Sequence, residues 1–278
     1  MKNNILVLGG KGKTGRRIVE RLNKMGHNVR IGSRGENPAF DWDKPGGWPA
    51  VLEGMESVYI TYQPDLAVPG AKEAIEALTR IAKHQGVEKL VLLSGKGEVE
   101  AEACEQIIIN CGLDYTIVRA SWFSQNFSES FFLEPILHGH VALPQADVKV
   151  PYVDAEDIAD VAIEALLDAK HNGQIYELTG SRMLTFREVT AEIASATGRT
   201  IEFTSITLPE YTEMLEIHGV PDDYIWLINY LFVEVLANEK NQMVSHDIEK
   251  VLGRKAKDFS DYVTETAATG VWNQAVQV

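Results

Sequence analysis

Ile5-Leu6-Val7-Leu8-Gly9-Gly10-Lys11-Gly12-Lys13-Thr14-Gly15 is the stretch on which the fold turns. Its first four residues form a short apolar run, read as a buried strand and too brief for a membrane or secretion segment. Glycines at 9, 12 and 15 follow, and then Ile18, Val19, Leu22 and Met25 mark the apolar face of a helix. A strand, a glycine turn and a helix N-terminus make an anion cradle. Free N–H groups and the positive end of the helix dipole point at whatever lies above the turn. Glycine lets a pyrophosphate approach the backbone and lets the helix pack closely on the strand. A nucleoside-triphosphate loop is excluded, because it needs a glycine five residues before Gly12 and that position is Val7. The dinucleotide pattern fits strictly at Gly10, Gly12 and Gly15 and more loosely at Gly9, Gly12 and Gly15. A tight turn in a parallel sheet with no ligand is the competing reading.

Charge supports the cradle. Residues 1–34 hold nine Lys or Arg and one acid, Glu20, a net +8; residues 35–278 hold 17 bases and 39 acids, a net −22. At −14 overall the chain should repel nucleic acid and anionic membranes, so a small-molecule substrate is expected. The basic island surrounds the turn where a polyphosphate would sit, although residues such as Lys24 also suit a solvated helix surface. With 278 residues and 45% hydrophobic content the chain can bury a full core. No stretch approaches the roughly 18 apolar residues of a membrane span. No signal peptide is visible, and two cysteines give no disulfide framework. A cytoplasmic protein is expected, with Cys104 and Cys111 as reduced interior residues. His138 and His140 flank Gly139 without the partners zinc would want, so no metal site is expected. Nothing in the sequence sets the oligomeric state.

Asn28 to Ser33 reads as the second strand, and its tip is where such folds read the adenosine ribose. An acid there would suit the 2′-hydroxyl of NAD, and a cation the 2′-phosphate of NADP. Ser33-Arg34 offers a cation, so NADP(H) is preferred; Glu36 lies close enough to keep NAD(H) possible. Phe40-Asp41-Trp42 reads as a short third strand with Asp41 placed to touch adenine. Ser57 to Tyr62 is the next strand, and Thr61, Tyr62 and Gln63 turn over the cofactor. A helix over 68–85, a strand over 89–93 ending at Ser94-Gly95, a helix over 98–111 and a strand over 115–118 follow. This strand–helix repeat predicts a doubly wound parallel sheet with ligands beyond the carboxyl ends of its strands. The expected organisation is a dinucleotide-binding domain over 1–150, then strands over 148–153 and 174–178 and a helix over 154–167 completing the sheet region within 151–184. A smaller, mostly helical lobe follows over 185–278. That lobe carries Tyr211, Tyr224, Trp226, Tyr230 and Phe232, and would supply whatever closes over the nicotinamide.

Four segments fit a known pattern in order: Leu8 to Gly15, Val91-Leu92-Leu93-Ser94, Ile117 to Phe127, and Val150 to Ala159. The chain resembles the NmrA-like proteins, a branch of the atypical short-chain dehydrogenases. Within that branch it looks most like the ergot-alkaloid (festuclavine and agroclavine) dehydrogenases and their bacterial relatives. The Gly-Lys-Thr at 12–14, the run Arg119-x-x-Trp122-Phe123-x-x-Asn126-Phe127 and the closing Gly270-Val271-Trp272 are the more specific features. The resemblance implies a Rossmann domain, a small C-terminal substrate lobe and NADPH. Ala120 departs from it, since relatives often carry proline there. The wider group includes quinone reductases, triphenylmethane-dye reductases and non-catalytic redox sensors.

The residues limit the chemistry. Short-chain dehydrogenases that reduce carbonyls use a Tyr-x-x-x-Lys pair on the helix after the serine-tipped strand, where the tyrosine protonates the alkoxide. Residues 98–110 contain neither tyrosine nor lysine. Ser94 is then left to hydrogen-bond near the nicotinamide ribose, and Glu102 or Glu105 is the remaining candidate acid. No catalytic residue is assigned. An iminium, quinone or cationic dye accepts hydride without an enzyme-borne acid, so positioning in an apolar pocket would supply most of the rate. Tyr62, Trp122, Phe123 and Asn126 are candidates for its wall, with Trp122 and Phe123 equally suited to a core. Two functions stay open: an NADPH-dependent reductase of a flat, electron-poor acceptor, or a dinucleotide-binding redox sensor that turns nothing over.

Overall fold

In chain order the computed structural model contains β1 (Asn4–Leu8), α1 (Lys13–Lys24), β2 (Asn28–Gly32), α2 (Trp48–Leu52), β3 (Ser57–Ile60), α3 (Ala71–His84), β4 (Lys89–Gly95), α4 (Val99–Asn110) and β5 (Asp114–Ala120). Then come α5 (Leu133–His138), β6 (His140–Leu143), α6 (Ala155–Leu167), β7 (Gln174–Leu178), α7 (Phe186–Thr197) and β8 (Glu202–Ser205). The chain finishes with α8 (Leu208–Ile217), α9 (Asp222–Tyr230), α10 (Asp247–Leu252) and α11 (Phe259–Ala268). Residues 2–273 are described. They divide into two compact units.

The first unit comprises residues 1–120, 155–178 and 247–254. It holds a six-stranded parallel sheet in the order β2-β1-β3-β4-β5-β7. Its inner strands β1, β3 and β4 are near-continuous apolar runs buried on both faces, as helix-covered parallel sheets require, while the edge strands β2 and β7 are more polar and exposed. The chain winds outward from β1 in both directions, so the expected doubly wound Rossmann-type fold is present. The switch point lies between β1 and β3, where the connections leave in opposite directions along the sheet, the place at which such folds bind ligands. Leu6, Leu8, Val58, Ile60, Leu90, Leu92 and Ile117 from the sheet pack with Ile75, Leu78, Cys104 and Ile108 from α3 and α4.

The second unit comprises residues 121–154, 179–246 and 255–278. Its core is aromatic: Phe127, Phe132, Tyr152, Phe186, Phe232, Phe259, Tyr262 and Trp272 form one cluster. Trp272 is fully buried and its indole Nε1–H donates to the Phe127 carbonyl at 2.8 Å, which ties the Gly-Val-Trp segment to the Trp122–Phe127 run. Capping boxes open α7 (Thr185, Glu188) and α8 (Thr207, Glu210), each side chain satisfying the other residue's backbone N–H.

Three expected elements differ. Phe40-Asp41-Trp42 is not a strand: Phe40 stacks on Trp48 at 5.6 Å, Trp42 meets both rings edge-on, and the Trp48 indole donates to the Asp41 carbonyl. Burial of three large rings outweighed any strand pairing there. Residues 148–153 make only isolated bridges, Val150 to Leu184 and Val153 to Phe123, because each end faces a different neighbour. The second unit also holds a short parallel pair, β6 with β8, that the sequence reading did not anticipate. No helix among the described residues is long and apolar enough to cross a membrane.

Candidate functional site

The glycine turn leaves β1 at the switch point. Gly9 adopts φ +66°, the left-handed region that favours glycine, and its N–H donates to Gly32 O at 2.9 Å. Gly12 N–H donates back to Gly9 O at 2.8 Å, and α1 starts at Lys13. The glycines do different jobs. A Cβ on Gly15 would run into the Gly9 carbonyl and lie 2.8 Å from Gly10 Cα, so Gly15 permits the helix to sit on the strand. A Cβ on Gly12 would meet only Gly9 O, at 3.2 Å, and φ there is an ordinary −78°. Gly12 therefore keeps open space above the turn.

Thr14 is buried, and its hydroxyl accepts from the Tyr59 hydroxyl of β3 at 2.9 Å. Burial pushes the Tyr59 phenol far above its ordinary pKa, so it remains a donor. Thr14 keeps its own proton to donate elsewhere. Tyr59 was not singled out from the sequence, although a polar-tipped ring inside a buried strand needs a partner. Thr61 packs against Gly9, Tyr62 is half-buried with its ring 4.7 Å from Trp42, and Gln63 is exposed.

At the tip of β2 the Ser33 hydroxyl is buried and has no partner. Arg34 is exposed and makes no hydrogen bond or ion pair among the described residues. Lys11 pairs with Glu36 at 2.7 Å. Asp41 accepts from Asp43 N–H and pairs with Lys44, contacts that hold its carboxyl below the ordinary range and commit it to its own turn. Much of the basic island is structural. Arg17 and Arg21 pair with Glu156, Arg21 also with Asp160, and Arg30 donates to the Val51 and Glu53 carbonyls.

The far side of the sheet holds a charged network that sequence reading missed. Register places Ser94, Arg119 and Glu177 side by side on β4, β5 and β7. Glu105 of α4 lies over them, fully buried. It accepts from Ser94 Oγ at 2.7 Å and from Arg119 at 2.6 to 3.0 Å, which raises the guanidinium's pKa. The proton of Ser94 is thus already committed to Glu105. Glu105 is an ion-pair member and Glu102 is exposed, so neither of the two candidates is a free buried acid. A legible signal existed: Glu105 falls on the same helical face as Ala101 and Ile108.

The carboxyl with a raised pKa is Glu98. It is buried above Gly95, where a glycine Cβ would occupy its carboxyl group, and it hydrogen-bonds to Asp65. Burial and the neighbouring Asp65 charge lift it well above 4.5, and burial lifts Asp65 as well. A carboxyl raised on folding stabilises fully below its unfolded pKa, and that stability is lost as pH rises through the folded value. Glu98→Gln should therefore flatten the decline in stability above about pH 4.5. The change is about 1.4 kcal/mol for each unit by which the folded value exceeds the unfolded one. Denaturant midpoints measured from pH 4 upward check this, and an unchanged slope would contradict it.

In the second unit Trp122 is half-buried, its ring 6.3 Å from Phe132, 6.0 Å from Phe186 and 5.6 Å from Phe232. Phe123 is half-buried beside the bridge to Val153, and Asn126 lies in the 3₁₀ turn over 124–127. Cys104 is buried and its thiol is pushed up to about 11, chiefly by burial, which makes it a poor nucleophile.

A parallel sheet wound from a glycine cradle at the switch point defines a dinucleotide-binding type of α/β fold. The NmrA-like family profile matches residues 77–266, and the chain belongs to the NmrA-like family. Prestalk A differentiation protein A of Dictyostelium discoideum is 28% identical over 95% of this chain and 93% of its own length. Agroclavine dehydrogenase of Claviceps fusiformis is 29% identical over 96% and 98%. The NADPH complex of the quinone oxidoreductase QOR2 from Escherichia coli superposes with a TM-score of 0.76 over 94% of this chain and 99% of that one. At 20% identity that likeness concerns the fold alone.

Proposed function

We propose that the chain is an NAD(P)H-dependent reductase, preferring NADP(H) to NAD(H), that passes hydride to a flat electron-poor acceptor without a Tyr/Lys acid–base pair. The observation that carries this reading is the buried, partnerless Ser33 hydroxyl beside the exposed Arg34 at the tip of β2, one strand from the glycine turn. Buried polar groups are rarely left unsatisfied, and a ribose or its 2′-phosphate would satisfy this one. The turn of Gly9, Gly12, Lys13, Thr14 and Gly15 would hold the pyrophosphate, with Thr14 donating its remaining proton. Thr61 and Gln63, and Ser94 and Gly95, stand at the carboxyl ends of β3 and β4, where the ribose and nicotinamide end of a dinucleotide would lie. Asp41 remains an adenine-side candidate through its peptide or ring neighbours, since its carboxylate serves the local turn.

A bound reduced nicotinamide would supply the hydride. The chain's own part is to hold, orient and exclude water, for which Tyr62, Trp122, Phe123 and Asn126 remain the proposed contacts. The relatives support this: one is named a dehydrogenase of agroclavine, and the QOR2 structure contains NADPH. The Dictyostelium relative is named for differentiation and not for a reaction, which keeps a non-catalytic redox sensor as the second reading.

Loss of NADPH absorbance with cyclic iminium ions, quinones and triphenylmethane dyes tests turnover; no oxidation with any class would favour the sensor. Arg34→Ala tests the cofactor. A charge-assisted phosphate contact is worth roughly 1.5–3 kcal/mol, so NADPH affinity should fall about tenfold or more while NADH affinity stays nearly unchanged. Equal losses for both cofactors would remove Arg34 from the 2′-phosphate site.

A further inference from the structure

Residues 200–239 contain eight acids and no lysine or arginine. Within that run, α9 and the helical turn that continues it over 231–236 carry an unusual stripe. Along α9, Asp222, Trp226 and Tyr230 recur every four residues, the spacing that stacks side chains on one helical face, and Glu234 follows four residues later in the wider π-helical turn. The Trp226 and Tyr230 rings lie parallel, with centroids 5.6 Å apart and planes 16° from one another. Trp226 is 47% exposed, Tyr230 is half-buried, and both acids are exposed. Val233, three residues after Tyr230, is also exposed.

Asp222 has an ordinary explanation, because an acid in the first turn suits the positive end of the helix dipole. Glu234 does not share it, since it lies toward the carboxyl end of the same helical run, where the dipole favours cations. The turn that carries it is a π-helix, a conformation that often accompanies functional sites. An aromatic face with a carboxylate at each end is complementary to one chemistry. Ring quadrupoles attract a cation over their faces, flat rings stack, and acids raise the local cation concentration.

We propose that Asp222, Trp226, Tyr230 and Glu234 form a docking shelf for a planar organic cation. Under the hydride-transfer reading, on which the functional meaning of this shelf rests, it selects cationic acceptors such as iminium ions and triphenylmethane dyes over neutral quinones. The test uses the full chain without any nicotinamide cofactor, so its failure leaves that reading standing and is distinguishable from a failure of cofactor binding. The probes are 9-aminoacridine, a cation at neutral pH, and acridine, its neutral relative, followed by fluorescence. The cation should bind at least about tenfold more tightly than acridine, and more weakly as salt is added. Trp226→Ala should cost the cation about tenfold. The Asp222→Asn, Glu234→Gln double variant should bring cation and neutral probe within about twofold of each other, without loss of circular-dichroism signal from these surface changes. Equal binding of the two probes by the unmodified chain, or a Trp226→Ala variant with undiminished cation affinity, would overturn the proposal. So would sedimentation showing that Trp226→Ala alters self-association and leaves probe binding intact, since the face would then belong to a second copy of the chain.

Discussion

Glu105→Ala should lower the stability of the chain by about 3–5 kcal/mol, the range found when one partner of a buried ion pair is removed. Glu105 is fully buried and accepts four hydrogen bonds, one from Ser94 and three from Arg119. Alanine would leave a largely buried guanidinium facing a void, balanced by Glu177 at 3.8 Å and the nearby charge of Glu102. Glutamine keeps the shape and an acceptor for Ser94, so Glu105→Gln should cost less. Replacing Glu105 and Arg119 together with methionine should recover part of the loss, because no unpaired charge remains. Urea midpoints at constant m-value measure all three. A loss below about 1 kcal/mol for alanine would mean that water already reaches the pair.

The reach of the sequence follows the range of the forces. The glycine turn was legible because everything that defines it lies within eleven residues: a strand, a left-handed residue, a close approach and a helix start. The repeat of strand and helix was legible for the same local reason, and it implied the doubly wound parallel sheet, though not its strand order. The Ser94–Arg119–Glu177 row was not, because its members meet only through the register of three strands far apart in sequence. The Asp65–Glu98 pair is hidden likewise, one member following β3 and the other following β4. Phe40-Asp41-Trp42 misled because alternating aromatics suit a strand as well as they suit a cluster about Trp48. Of the basic island, sequence showed the charge but not its use. Arg17 and Arg21 reach acids of α6 some 140 positions away, which leaves Arg34 as the exposed cation beside the orphan hydroxyl.

The second large effect separates binding from folding. Gly12→Val should still fold, since φ is −78° and a Cβ would stand 3.2 Å from the Gly9 carbonyl, a tight contact that a shift of a few tenths of an ångström relieves. Its branched side chain would nevertheless fill the space over the N–H groups at the start of α1. Losing two charge-assisted contacts to a pyrophosphate removes roughly 3–6 kcal/mol, so NADPH affinity should fall by at least about 100-fold. Gly15→Ala behaves differently. Its Cβ meets the backbone of Gly9 and Gly10, so helix and strand must part, at a cost of about 1–3 kcal/mol in stability. Binding and stability should fall together in that variant.

The most direct single measurement is a fluorescence titration of NADPH into the unmodified chain and into Gly12→Val, each checked by circular dichroism and thermal midpoint. The expected result is saturable binding to the unmodified chain and none at the same concentrations in a valine variant of unchanged midpoint. Equal NADPH affinity in a folded Gly12→Val would contradict the glycine turn as the cofactor site, and with it the proposed reductase built upon that turn.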